Sequence, residues 1–110
     1  MIEDTIAKIE ARIQSADPNH EEKLLELKQL LATLKSEVAA LSKTHAEEAR
    51  SISGFTELSA HEATREQPNP QSLTHALKGL SSSVEGFESS HPKLVQLVNS
   101  ISNSLANMGI

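Results

Sequence analysis

The chain has no cysteine, tryptophan or tyrosine, and its only phenylalanines are Phe55 and Phe87. Without cysteine there are no disulfides, thiolate metal sites or thiol nucleophiles. With so few aromatic rings, packing falls to Leu, Ile, Val, Met and Ala, which suits helices that each bury one stripe rather than a deep interior. No apolar run approaches the roughly 20 residues that span a bilayer. The opening Met1-Ile2-Glu3-Asp4 lacks the apolar region of a signal peptide, so a cytoplasmic location is expected. Positive charge is scarce as well: ten Lys and Arg stand against fifteen Asp and Glu, for a net charge of −5. That balance argues against nucleic acid and anionic membrane surfaces as partners.

What the sequence does have is leucine at helical spacing. Leu24, Leu27, Leu31, Leu34, Val38 and Leu41 alternate in steps of three and four, which keeps one narrow stripe facing a neighbouring helix. No proline falls between Asn19 and Gln67, so the spacing predicts a long helix from Glu21 to about Ser53. The register continues onto His45, Glu48, Ile52 and Phe55, and Gly54 is where a bend or an end is expected. Residues 42–67 are polar and alanine-rich, which predicts fraying helix or a flexible connector. Upstream, Ile2, Ile6, Ile9 and Ile13 mark a first amphipathic helix. It is broken at Asp17-Pro18-Asn19, so the two helices form an antiparallel hairpin.

Gln67-Pro68-Asn69-Pro70-Gln71 is the clearest boundary, because two prolines within three residues exclude continuous helix. Asn69 as N-cap with Pro70 at the first helical position starts a new helix. The seam then runs through Leu73, Leu77, Leu80, Val84, Phe87, His91, Leu94, Val98, Ile101, Leu105 and Met108 without a slip of phase. Pro92 interrupts it. The unbroken phase favours one helix bent at Pro92 over two helices folded back at residues 88–91. At 1.5 Å per residue, the two long helices would run alongside each other for roughly 50 Å. Asn107-Met108-Gly109-Ile110 reads as a helix stop, with Gly109 in the left-handed position and Ile110 against Leu105.

Phe87-Glu88-Ser89-Ser90-His91-Pro92-Lys93-Leu94, followed by Leu105-Ala106-Asn107-Met108-Gly109-Ile110, resembles the closing pattern of a family of short bacterial helical proteins, domain of unknown function four-four-zero-four. The resemblance implies an all-helical fold and a bacterial origin. It implies no activity. Against that pattern, residues 42–67 look like an insertion.

Five histidines raise the question of metal. A two-metal site in a helical bundle needs Glu-x-x-His motifs from two helices, and only Glu88 and His91 have that order. His91 sits on the seam beside Pro92, where a partly buried imidazole is a candidate switch near neutral pH. The isolated glycines exclude a phosphate-cradling loop, and nothing resembles a nucleophile elbow.

The expectation is therefore an all-α chain of three to four helices, an elongated hairpin or bundle with coiled-coil-like seams. Residues 1–66 form an N-terminal hairpin fraying into a connector, 67–71 the break, and 72–110 a C-terminal helix bent or broken at Pro92. The predicted role is a non-enzymatic structural or interaction module that forms a homodimer. Its seam is Leu27, Leu31, Leu34, Val38, Leu41, Leu80, Val84, Phe87, Leu94, Val98, Ile101 and Leu105. No cofactor, metal, nucleic-acid or membrane partner is expected. A small metal- or ligand-responsive regulator using Glu88 and His91, with His45, is the alternative.

Overall fold

The computed structural model describes residues 21–108 together with Ala7 and Ala11. Its helices over residues 21–108 are α1 (Glu21–Leu41), α2 (Ala46–Ala63), α3 (Pro70–Ser83) and α4 (Pro92–Met108), and there is no strand among the described residues. The chain is all-α, as its periodicity predicts. Ala7 and Ala11 are helical, while the rest of the first predicted helix and the Gly109 stop lie outside the described residues.

Each helix packs on its neighbours in chain order, and α4 closes the ring against α1. The pair α2 and α3 shares the largest interface, and α1 and α3 lie across the bundle from each other. The described bundle measures 40 × 26 × 22 Å. It is shorter than two 50 Å helices side by side would be, because both long predicted helices are broken into two.

The first break replaces the predicted helix from Glu21 to Ser53. Polar groups at residues 42–45 compete for the carbonyls that would have continued α1. The Leu41 carbonyl accepts from the Thr44 amide at 3.1 Å, the His45 amide at 2.8 Å and the Thr44 hydroxyl at 3.3 Å. Ser42 Oγ donates to the Ala39 carbonyl at 2.6 Å. The register that continues from Leu41 onto His45 thus crosses a turn rather than unbroken helix.

Helix α2 corrects the reading of residues 42–67 as connector. It buries Ala49, Ile52, Thr56, Ser59, Ala60 and Ala63, spaced in helical steps along one face. Small side chains let α2 lie close to α3, so burial here needs few leucines. Glu47 and Glu48 in its first turn complement the helix dipole. Gly54 lies inside the helix rather than ending it.

The second break settles the C-terminal half as two helices and overturns the single bent one. Gly86, at φ +93°, supplies the left-handed residue of the α3–α4 turn. The Glu88 carboxylate accepts from the Gly86 amide at 2.8 Å, fixing that turn. Pro92 is then the first residue of α4, where its missing N–H has no helical partner to lose. Helix α3 starts as the sequence indicates, with the Asn69 side chain accepting from the amides of Gln71 at 3.0 Å and Ser72 at 3.2 Å.

Candidate functional site

The predicted seam comes first. All of it except Val38 is buried within one chain, and Val38 is partly buried against the same core. Leu27, Leu34, Leu80, Val98, Ile101 and Leu105 are at most 1% exposed. A side chain already enclosed by its own bundle offers nothing to a partner unless the bundle opens. The seam as a docking surface gives way to the seam as core, and any contact surface must be sought on the outside.

His91 lies where the two turns of the bundle meet. Its ring stands edge-on to Phe87 at 5.3 Å between centroids and to His45 at 6.1 Å, and His45 is edge-on to Phe87 at 5.5 Å. The α1–α2 turn supplies His45, and the α3–α4 turn supplies Phe87 and His91. Each imidazole Nδ1 is paired locally, with Thr44 Oγ1 at 2.8 Å for His45 and Ser90 Oγ at 2.9 Å for His91. Beside them Lys93 of α4 meets Glu37 of α1 at 3.3 Å. Glu88 is committed to the Gly86 amide, so its carboxylate serves the turn. Among the described residues no three His, Asp or Glu side chains gather closely enough to hold a metal ion.

Of the exposed large hydrophobic residues among those described, Leu25 of α1 stands by itself, whereas the other two share the outer side of α2. Phe55 is 36% exposed and Leu58 45% exposed, one helical turn apart. They border an open groove of about 400 Å³ whose other walls are Glu62, Ser72, His75 and Ala76. Phe55 reaches across to Gly79 of α3, and a Cβ built there would meet the ring at Cζ within 2.9 Å. Glu62 is held by Arg65 at 2.8 Å, with His61 Nε2 at 3.9 Å. A second open groove, of about 530 Å³ between α3 and α4, is lined by Lys78, Ser81, Glu85, Ser102 and Asn103 among others.

A family model, domain of unknown function DUF4404, matches residues 27–110. The chain belongs to that family. No curated protein and no solved structure matches it. The DUF4404 match begins in α1 and extends past α4, taking in α2. Because α2 contributes a core face to the bundle, it is part of this DUF4404 fold and not an appendage to it.

Sequence reasoning placed Phe55 on the seam and passed over Leu58. Once the phase restarts after the turn at residues 42–45, the buried set of α2 is a mainly small-residue series with Ile52 and Glu62 in it, and Phe55 and Leu58 fall outside it. The available signal was two large apolar residues out of phase with that series.

Proposed function

We propose that this DUF4404 protein is a non-enzymatic interaction module of the cytoplasm that self-associates as a homodimer, meeting its partner through the outside of α2. The observation that carries this reading is the exposure of Phe55 and Leu58, one turn apart on a helix that buries mainly small residues. Single exposed leucines are ordinary on soluble proteins; an adjacent Phe and Leu beside an apolar groove form the start of a contact surface. The net charge of −5 supports a protein partner over nucleic acid. Among the described residues no helix is long and apolar enough to cross a membrane.

Light scattering across a concentration range tests the reading. A species of twice the 11.9 kDa chain mass, appearing as concentration rises, is expected. A constant monomer up to about 1 mM, where even the weakest specific dimers appear, would overturn it.

The alternative, a metal- or ligand-responsive regulator built on Glu88 and His91, has the approach of His45 to His91 in its favour. Against it stands the Glu88–Gly86 bond. Zinc in large excess is expected to leave the melting temperature unchanged, whereas a rise would favour this second reading.

A further inference from the structure

The triangle of rings that joins the two turns has two members able to take up a proton. His45 and His91 are half-buried, their ring centroids lie 6.1 Å apart, and Phe87 is edge-on to both. Residues 45 and 91 are far apart in sequence, so only the folded chain brings these rings together. The charged groups on the elements around them are Glu37 of α1, Lys43 in the first turn, Glu48 of α2, Glu85 and Glu88 in the second turn, and Lys93 of α4. The last turn of α3 carries no charge. Two of the carboxylates are engaged elsewhere, Glu37 by Lys93 at 3.3 Å and Glu88 by the Gly86 amide. Among the described residues no carboxylate forms an ion pair with either imidazole.

We propose that this triangle is a pH-sensitive latch, which holds the two turns together while at least one imidazole is neutral and loosens them when both are protonated. A first proton meets only neutral rings. A second sets like charges on rings 6.1 Å apart, with no carboxylate between them to offset the repulsion. Parting the turns, or unfolding the chain, separates those charges, so the open forms take up the second proton more readily. The sign follows by linkage. The contribution of the latch to stability is present at neutral pH and is lost as pH falls through the range in which imidazoles gain charge. Opening uncovers Phe87, the buried member of the triangle. The latch works within one chain and does not depend on self-association.

Urea unfolding of the full chain, His45→Gln and His91→Gln, followed by circular dichroism at about pH 7.5 and about pH 5.5, tests the latch. Glutamine stays polar and takes up no proton. The native midpoint should fall on acidification, and each variant should lose less than about half as much, because one remaining charge has no partner to repel. His20, His61 and His75 are common to all three chains, so their titration cancels in the comparison. Hydrogen exchange on the native chain gives a second readout that needs no variant. The His45 and His91 amides donate to the Leu41 and Phe87 carbonyls at 2.8 Å each. Corrected for intrinsic exchange, their protection should drop at least about fivefold in mild acid relative to the Leu34 amide. Equal midpoint losses in all three chains, or turn amides as protected in mild acid as at neutral pH, would overturn the proposal.

Discussion

Phe55 lies across Gly79 so closely that no other residue at position 79 could leave the ring where it is. The relationship couples the outer edge of α2 to α3 at their shared interface, the most extensive in the bundle.

Gly79→Ala therefore has two opposed effects. It gains about 1 kcal/mol of helix propensity and displaces a ring that must swing toward solvent. In a Phe55→Ala background only the first effect remains. The same Gly79→Ala change is expected to stabilise that background by about 1 kcal/mol more than it does the native chain, as read from urea midpoints in a double-mutant cycle. Equal effects in both backgrounds would show that the ring contact is energetically idle.

Ser59 is fully buried and its hydroxyl has no hydrogen-bond partner, whereas the neighbouring Thr56 donates to the Ile52 carbonyl at 2.7 Å. A buried hydroxyl without a partner is destabilising, and alanine is also the better helix former. Ser59→Ala is expected to stabilise the chain by about 1 kcal/mol, raising Tm by roughly 4–8 °C. Thr56→Val should move it the other way. A fall in Tm for Ser59→Ala would mean that the hydroxyl is satisfied in solution.

Leu34 is 1% exposed in the middle of α1. Leu34→Ala should cost about 2–5 kcal/mol by leaving a cavity, and Leu34→Asp should unfold the chain by burying a charge without a partner. Circular dichroism reads both. A folded monomeric Leu34→Asp variant would contradict the placement of the seam inside one chain.

The ring cluster of His45, Phe87 and His91 fastens one turn to the other, and Phe87 is its buried member. Phe87→Leu keeps apolar bulk and loses both edge-to-face contacts, so a loss of about 1 kcal/mol is expected. In that background, His45→Ala should cost less than it does in the native chain. Identical costs would show the rings to be neighbours without coupling.

The parts of this fold that could be read from sequence are those where one local signal dominates. Leucine spacing marked the buried stripe of α1, and the Asn69-Pro70 pair marked the start of α3. Two turns escaped because periodicity alone does not reveal a reversal of direction. When a helix folds back, a seam on the returning helix also faces the core, so Leu80 through Leu105 kept phase through the turn at Gly86. There Gly86 makes the turn, and Pro92 only opens the helix that follows it. At residues 42–45 the break lies in hydroxyls competing for carbonyls, which composition does not announce. The composition of residues 42–67 predicts fraying helix or connector because hydrophobicity measures side-chain size as much as burial. Ala49, Ser59 and Ala60 are buried for being small. The outward face of α2 became visible only once that inner face was placed.

The linkage between α2 and α3 has a practical corollary. Thr64 closes α2 through its own hydroxyl bond to the Ala60 carbonyl at 2.8 Å, and Asn69 caps α3 unaided. Between them residues 66–68 are exposed, while the broadest helix interface joins the elements on either side. A protease cut there would sever no cap and uncover no core. The two fragments would stay together as a non-covalent complex, each hairpin serving as the template on which the other folds.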